Sequence, residues 1–200
     1  MTLLAVSKTF PGVTVREAFA AGQRRFGENY VQEGVTKIAE LADLRADIEW
    51  HMIGPVQSNK TRVVAEQFDW VHTIDRLKVA ERLSAQRPAG LPPLQVCVQV
   101  NTSGEASKSG VAPAEALALA RAVAALPGLQ LRGVMALPAP SADPVVQRAE
   151  LAAVRAVFDE LRAAGLPLDT LSMGMSQDLE TAIELGSTLV RVGTALFGQR

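Results

Sequence analysis

The chain has 200 residues and a mass of 21.3 kDa, a length that favours one domain spanning residues 1–200. Its composition, 48% hydrophobic and 20% charged residues, is that of an ordinary soluble globular protein. Twenty basic residues face twenty-one acidic ones, which gives a net charge of −1. This balance excludes the basic field that a nucleic acid or an anionic membrane surface attracts.

Cysteine and histidine are too scarce for a disulfide framework or a typical metal site. The single cysteine, Cys97, lies in an apolar run and is predicted to be a small buried hydrophobe. The two histidines would need carboxylates to complete a zinc or iron site. No apolar stretch is long enough to span a bilayer, and the N-terminus lacks the features of a signal peptide. We therefore expect a cytoplasmic protein without a metal.

Short apolar runs alternate with segments of helical periodicity along the whole chain. The eight runs predict strands at residues 3–7, 25–29, 48–53, 70–74, 94–101, 131–137, 170–173 and 188–192. The seven periodic segments predict helices at residues 14–21, 30–46, 58–67, 75–86, 113–125, 144–164 and 176–185. Such alternation is typical of parallel strands joined by crossover helices.

Eight strands favour an α/β fold of one kind, the closed (β/α)8 barrel of the TIM type. A doubly wound sheet is the alternative, but its first turn usually carries a G-x-G-x-x-G motif, which residues 7–12 lack. A barrel needs about eight covering helices, and seven are predicted. We expect either that the final helix is missing or that a further helix once lay before residue 1.

Two loops near the end of the chain have the features of a phosphate site. TIM-type barrels often bind phosphate with the loops after strands seven and eight. Residues 173–176 lie at the end of the seventh predicted strand and directly after it, and Gly193 and Thr194 follow the eighth. Each loop offers a glycine for close backbone approach and a hydroxyl, from Ser176 or Thr194, which together suit a phosphate dianion. Either loop alone is explained by chain turning, whereas the two together favour phosphate.

Lys8 is the lysine best placed for covalent chemistry. It ends the first predicted strand, where its amine enters the barrel mouth and is available for a Schiff base. The alternative, which position alone favours, is a lysine that extends from a strand end into water. A lysine facing a phosphate site across one mouth is the arrangement expected for pyridoxal phosphate. By contrast, Lys37 and Lys78 are expected on solvated helix faces.

Two further polar residues end predicted strands and keep two interpretations each. His51 either contacts a ligand or is a structural histidine whose hydrogen bonds are satisfied within the protein. Asn29 either contacts a ring substituent of a ligand or caps the second strand. Lys108 lies in a Ser/Gly loop after the fifth strand, which favours at most a transient role.

Six segments carry these strand ends: residues 4–8 (LAVSK), 26–33 (FGENYVQE), 50–54 (WHMIG), 57–60 (QSNK), 172–176 (SMGMS) and 186–198 (GSTLVRVGTALFG). Together they resemble the pyridoxal-phosphate homeostasis protein family (YggS/PROSC family). They follow one another over nearly the whole chain, so their joint specificity is very high. The resemblance implies a single barrel like the N-terminal domain of alanine racemase.

The resemblance also implies a cofactor, pyridoxal 5′-phosphate, bound as a Schiff base to Lys8. The positions that match the family's cofactor pocket are Lys8, Asn29, His51, Ser176, Arg191, Gly193 and Thr194. Ser176, Gly193 and Thr194 match the phosphate grip, and Arg191 matches an arginine that related racemases set against the pyridine nitrogen. A guanidinium at that place disfavours protonation of the nitrogen and makes the ring a weaker electron sink.

The function implied by the resemblance is vitamin B6 homeostasis. The chain would be a monomeric buffer or carrier of the cofactor with no catalytic residues, serving apo-enzymes that require it. Lys108 would hold the cofactor transiently during transfer. A racemase of low activity is the alternative, but two-base racemisation needs an acid–base group opposite the lysine. The only tyrosine, Tyr30, belongs to the same barrel. A Schiff-base aldolase acting on a phosphorylated sugar is a third hypothesis, which would need a proton relay near the lysine.

One departure from the family concerns the start of the chain. Family members usually carry an additional helix before the first strand, which this sequence lacks. Its absence would account for the helix deficit and would leave apolar surface on one flank of the barrel.

Overall fold

The computed structural model describes residues 1–104, 109–138, 141 and 143–198. Its eight strands are parallel and close into a barrel in chain order. They are β1 (Thr2–Val6), β2 (Arg25–Glu28), β3 (Glu49–Met52), β4 (Trp70–Ile74), β5 (Leu94–Gln99), β6 (Leu129–Met135), β7 (Thr170–Ser172) and β8 (Leu189–Val192). The pairing of β8 with β1 closes the ring. The predicted (β/α)8 fold is confirmed.

Helices connect the strands and cover the outside of the barrel. In the described part of the chain they are α1 (Gly12–Ala20), α2 (Val31–Glu40), α3 (Thr61–Gln67), α4 (Leu77–Gln86), α5 (Pro113–Ala124), α6 (Pro144–Ala163), α7 (Leu179–Glu184) and α8 (Thr194–Phe197). A short 3-10 helix, Ala42–Leu44, follows α2. None of these helices is both long and apolar enough to cross a membrane.

Each predicted strand and helix overlaps an observed one, and the differences lie at the ends. The helix predicted from Ser176 begins instead at Leu179. The cause is a turn in which the Met175 N–H donates to the Asp178 carboxylate at 2.6 Å. Of the two explanations for the eighth helix, a missing final helix is wrong, because that helix is present as the single turn α8. Four residues make about one helical turn, too few to produce a detectable period.

Strand β3 shows how the barrel separates its two sets of side chains. Successive side chains of a strand point to opposite faces. Trp50 and Met52 pack in the large apolar cluster that joins the strands to the helices. Ile53, one residue further on, packs instead with three residues of β1 and β8 inside the barrel, namely Leu4, Val6 and Leu189. The inward positions of the strands therefore decide what a ligand at the barrel mouth meets.

Cys97 lies in a second apolar cluster with Trp70 and Met135. It is fully buried, as predicted. Burial raises the pKa of its thiol to about 12, so the side chain acts as a small hydrophobe and not as a nucleophile.

Candidate functional site

A pocket of about 400 Å³ opens at the carboxyl ends of the strands. Six of the seven predicted cofactor-binding residues line it: Lys8, Asn29, Ser176, Arg191, Gly193 and Thr194. Arg191 belongs to β8, and the others lie in the segments that directly follow β1, β2, β7 and β8. Closure of the barrel therefore gathers residues from the two ends of the chain into one site.

A wider depression of about 570 Å³ lies at the opposite end of the strands. Several of its arginines are already paired with carboxylates, as Arg45 is with Asp69 at 2.8 Å and Arg25 with Glu49 at 3.0 Å. Because TIM-type barrels carry their chemistry at the carboxyl ends of the strands, the pocket at the mouth is the candidate functional site.

Lys8 lies two residues after the end of β1 and is half-buried where it lines the pocket. The next residue, Thr9, has a φ of 66°. A β-branched residue rarely adopts this left-handed conformation. The backbone therefore turns sharply directly after the lysine, and surrounding contacts must hold that turn.

Asn29 is held in place by a close backbone approach. A Cβ atom on Gly54, which follows β3, would lie 2.0 Å from the carbonyl oxygen of Asn29. Only glycine fits at this position, so the loops after β2 and β3 pack against each other. This contact fixes the backbone from which the Asn29 side chain reaches the pocket.

The loop after β7 is shaped by Gly174 and Asp178. Gly174 has a φ of 99° and a Cβ there would lie 2.6 Å from Ala182. The buried Asp178 carboxylate accepts from the Met175 N–H at 2.6 Å. Ser176, an exposed residue, follows directly, and it lines the same pocket as Thr194. The structure thus brings the two predicted phosphate loops together.

Arg191 rises from β8 inside the barrel and is only 3% exposed. Its Nη1 atom donates to the carbonyl and the hydroxyl of Ser172, at 2.9 and 2.7 Å, and Nη2 donates to the Ala136 carbonyl at 2.8 Å. Burial lowers its pKa to about 10, so the guanidinium remains charged at neutral pH. These contacts fix the group at the floor of the pocket.

His51 does not line the pocket, so its interpretation as a ligand contact finds no support in the geometry. It is fully buried, and its Nε2 and Nδ1 atoms lie 2.9 Å from Glu49 Oε1 and His72 Nε2. The residue that reaches the pocket is Ile53, which directly follows β3. Two residues along a strand correspond to about 7 Å, so His51 lies one layer deeper. Its other interpretation, a structural histidine with satisfied hydrogen bonds, fits this placement.

The His51–His72 pair continues as a chain of hydrogen bonds to Arg191. His72 Nδ1 lies 3.1 Å from the Ser172 hydroxyl, which also accepts from Arg191. Burial lowers the pKa of both histidines, so they are neutral. Burial by itself raises the pKa of Glu49, but the hydrogen bonds from His51 and Arg25, together with the electrostatic effect of both groups, outweigh burial and lower that pKa to about 2.

The charged ends decide the direction of every hydrogen bond in this chain. Glu49 is ionised and only accepts, so the His51 proton lies on Nε2. His51 Nδ1 then accepts from His72, and His72 Nδ1 accepts from the Ser172 hydroxyl. All donors therefore point from Arg191 towards Glu49.

The structure corrects the expectation for Lys37, which was placed on a solvated helix face. Lys37 is buried, whereas Lys78 is exposed as expected. The sequence did carry a signal, because Glu33 and Lys37 are four residues apart on α2. Lys108 lies outside the described residues.

The fold and the position of the site are those of a barrel of the alanine racemase N-terminal-domain class, and comparison with known proteins identifies the same class. The family model for the N-terminal domain of alanine racemase matches residues 1–200. The alanine racemase of Clostridium difficile superimposes with a TM-score of 0.83 at 15% identity, over 100% of this chain and 53% of the racemase chain. At that identity the likeness shows the shared barrel alone.

Closer relatives are proteins named pyridoxal phosphate homeostasis protein. That of Pseudomonas aeruginosa is 64% identical over 198 residues, which are 99% of this chain and 84% of the relative. That of Escherichia coli strain K12 is 58% identical over 202 residues, covering 100% of this chain and 86% of the relative. The chain belongs to the pyridoxal phosphate homeostasis protein family.

A solved structure of a relative contains the cofactor. PipY of Synechococcus elongatus PCC7942, described with pyridoxal phosphate (PLP) bound, superimposes with a TM-score of 0.89. The two chains are 41% identical, and the match covers 99% of this chain and 92% of PipY.

Proposed function

We propose that this protein binds pyridoxal 5′-phosphate at the barrel mouth, holds it as a Schiff base on Lys8, and buffers or delivers it to apo-enzymes. We propose further that it acts in the cytoplasm as a monomer and that residues 1–200 form one domain. The observation that carries the proposal is the pocket itself, which Lys8, Arg191, Ser176 and Thr194 line together. The names of the relatives and the PLP-bound PipY support it.

The groups that line the pocket fit this cofactor. Among the described lining residues, Lys8 and Arg191 supply positive charge against one carboxylate, Asp178, which suits an anionic ligand. Val6 and Ile53 provide apolar surface for a flat ring. A volume of about 400 Å³ is within the range of small-ligand pockets.

Lys8 performs the covalent step. When bound, the cofactor supplies an aldehyde that condenses with amines. The unprotonated Lys8 amine attacks this aldehyde carbon, a C=N bond forms, and the carbonyl oxygen leaves as water. The step is reversible, and a second amine attacking the same carbon returns Lys8 as a free amine. A carrier needs no other chemical group for uptake and release.

The two loops after β7 and β8 hold the phosphate. The Ser176 and Thr194 hydroxyls donate to its oxygens, and Gly193 permits close approach of the backbone. A Cβ on Gly193 would lie 3.2 Å from the Val6 carbonyl oxygen, so this loop packs tightly on β1. The phosphate site is therefore fixed relative to β1, the strand that leads to Lys8.

Arg191 orients the ring and controls a proton. Its guanidinium donates to the pyridine nitrogen and, being cationic, disfavours protonation of that nitrogen. The cofactor ring then withdraws electrons weakly, which suits storage more than reaction. Ser172 and Ala136 hold the guanidinium so that it cannot turn away.

Racemisation is the weaker alternative for this site. It needs a second acid–base group on the face opposite Lys8. Tyr30, the only tyrosine of the chain, is 61% exposed and is not among the residues that line the pocket. Of the described lining residues, Asp178 is the carboxylate, and it is engaged by the Met175 N–H.

The test is an absorption spectrum of the purified protein after addition of pyridoxal phosphate and removal of the excess. We expect a yellow imine band, and after borohydride reduction a stable adduct on the peptide that carries Lys8. Lys8→Ala should lose the band and the adduct while keeping part of the phosphate-anchored affinity. Lys78→Ala, which removes an exposed lysine on α4, is the matched control and should behave as the wild type.

Undiminished trapped cofactor in Lys8→Ala would refute the assignment of the Schiff base. Incubation of the loaded protein with L- and D-amino acids distinguishes carrier from racemase. A carrier leaves their configuration unchanged, whereas inversion at a catalytic rate would favour the racemase.

A further inference from the structure

Buried Lys37 makes three hydrogen bonds close to Lys8, the residue that carries the proposed Schiff base. Its Nζ atom donates to the Ser7 carbonyl at 2.6 Å, to Glu28 Oε1 at 2.9 Å and to Glu33 Oε1 at 2.7 Å. Lys37 is buried on the face of α2 that packs against the strands. Because an ammonium has three donors, the three acceptors engage the group completely.

Glu28 also holds Ser7, the residue before Lys8, through the serine side chain. The Ser7 hydroxyl donates to Glu28 Oε1 at 2.6 Å, and the Ser7 N–H donates to the Gly27 carbonyl at 3.1 Å. Glu28 is fully buried at the end of β2, beside β1. Burial raises its pKa, while the charge of Lys37 and the hydrogen bond from Ser7 oppose that rise. Carbonyl, hydroxyl and N–H of Ser7 are therefore all fixed.

Glu33 holds the residue on the other side of Lys8. Its Oε1 atom accepts from the backbone N–H of Thr9 as well as from Lys37. Thr9 is the residue with a φ of 66°, a conformation that a threonine keeps only when its surroundings enforce it. The hydrogen bond from Thr9 to Glu33 is one such restraint.

The three side chains thus bracket Lys8 from both sides. We propose that Glu28, Glu33 and Lys37 form a clamp that positions Lys8, so that its amine enters the barrel mouth at the place where the cofactor aldehyde is bound. The inference rests on the proposed function, and the three are positioning residues. Lys37 and Glu33 contact the backbone of the two neighbours of Lys8, and Glu28 contacts the Ser7 hydroxyl. None of them lines the pocket.

The clamp also separates the roles of two nearby lysines. Lys37 is held among three oxygen acceptors as an ammonium, which has no lone pair with which to attack an aldehyde. Lys8, one residue beyond Ser7, is directed into the pocket. Ordering the backbone of Lys8 before the ligand arrives reduces the entropy lost when the imine forms. Removal of the clamp should therefore weaken imine formation more than it weakens the non-covalent contacts.

Two ligands separate these contributions. Pyridoxal phosphate forms the imine, whereas pyridoxine 5′-phosphate has an alcohol in place of the aldehyde and binds through its ring and phosphate alone. In Glu33→Ala we expect the dissociation constant for pyridoxal phosphate to rise about tenfold, the size of a lost charge-assisted hydrogen bond. The dissociation constant for pyridoxine 5′-phosphate should change by less than about twofold, which is within the effect of an ordinary surface substitution.

Glu33 is chosen because it is partly exposed, so its removal leaves the fold intact. Glu33→Gln keeps an oxygen for the Thr9 N–H and should recover part of the affinity for pyridoxal phosphate. Asp159→Ala breaks another ion pair with the same i, i+4 spacing, between Arg155 and Asp159 on the surface of α6, and is the matched control. Thermal unfolding without ligand checks that all variants fold.

A selective loss for pyridoxal phosphate, partly restored in Glu33→Gln, would support the clamp. Equal losses for both ligands would show that the cluster has only a structural role and would overturn it. Wild-type affinity of Glu33→Ala for both ligands would also overturn it. If the wild type itself forms no imine, the proposed function fails first, and the clamp fails with it.

Discussion

Arg191 and Ser172 are joined by two hydrogen bonds from one guanidinium nitrogen, to the Ser172 carbonyl at 2.9 Å and to its hydroxyl at 2.7 Å. The carbonyl belongs to the backbone of β7 and is present whatever the side chain. Of these two hydrogen bonds, a substitution of Ser172 removes only the one to the hydroxyl. The same hydroxyl is hydrogen-bonded to His72. One oxygen atom therefore links Arg191, at the floor of the pocket, to the buried histidines inside the barrel.

Ser172→Ala should therefore weaken the hold on Arg191 without removing it. We expect a loss of about 1–2 kcal/mol in the free energy of unfolding, because the buried His72 Nδ1 loses its donor. Affinity for pyridoxal phosphate should fall several-fold, about the effect of one misplaced hydrogen bond. Urea titration and fluorescence titration measure the two quantities. Full wild-type values in both would contradict the assigned chain of hydrogen bonds.

Stability should fall as the pH is lowered below about 6.5, the ordinary pKa of histidine. Burial lowers the pKa of His51 and His72 in the folded protein, so below that pH the unfolded chain binds more protons than the folded one. The free energy of unfolding then decreases with decreasing pH, by at most about 1.4 kcal/mol per pH unit for each histidine.

Urea unfolding at pH 7.0, 6.0 and 5.5 measures this slope. His72→Gln removes one of the two titrating groups and should flatten it. The groups that face His72 are His51, Arg191 and the Ser172 hydroxyl, and none of them is altered by that substitution. An identical slope in the variant would show that His72 is not neutral when buried.

Gly54→Ala should disturb Asn29. The new Cβ would lie 2.0 Å from the Asn29 carbonyl oxygen, so one of the two loops must move, at a cost of about 1–3 kcal/mol. We expect lower stability and weaker binding of pyridoxal phosphate, measured by thermal unfolding and ligand titration. Gly90→Ala is the control, since a Cβ at Gly90 meets no atom within 4 Å. Equal behaviour of the two variants would contradict the close approach.

The loops after β7 and β8 should distinguish phosphorylated from unphosphorylated ligand. Ser176→Ala and Thr194→Ala should each weaken pyridoxal phosphate about tenfold, since each removes a hydroxyl donor to an anion. Binding of pyridoxal, which lacks the phosphate, should not change. Thr36→Ala, which removes a surface hydroxyl bonded to the Gln32 carbonyl, is the control. A parallel loss for pyridoxal would place the phosphate elsewhere.

The barrel was predictable from sequence because its strands are buried on both faces and its helices keep a regular period. Residues near strand ends, such as Lys8 and Thr194, could be placed at the mouth for the same reason. The depth of an inward residue was not predictable. His51 is one layer below Ile53, and the difference depends on where β3 ends relative to the mouth.

Contacts that cross the barrel were beyond sequence reasoning. His72 and Ser172 are 100 residues apart and meet because the ring closes. Lys37 was misplaced for a related reason, since the acceptors that allow its burial lie on β2 and at the end of β1. A buried cation on a helix becomes evident only when the strands behind the helix are in place.

Cys97, the only thiol of the chain, is a chemical probe for opening of the closed barrel. Its sulfur is enclosed by Trp70 and Met135, so a thiol-specific reagent reaches it only when strands separate. The rate at which Cys97 is labelled then measures how often the barrel opens. The first and last strands meet at a seam between β1 and β8, and Lys8 and Thr194 lie on its two sides. A ligand bound to both would fasten the two ends of the chain to each other and slow the labelling.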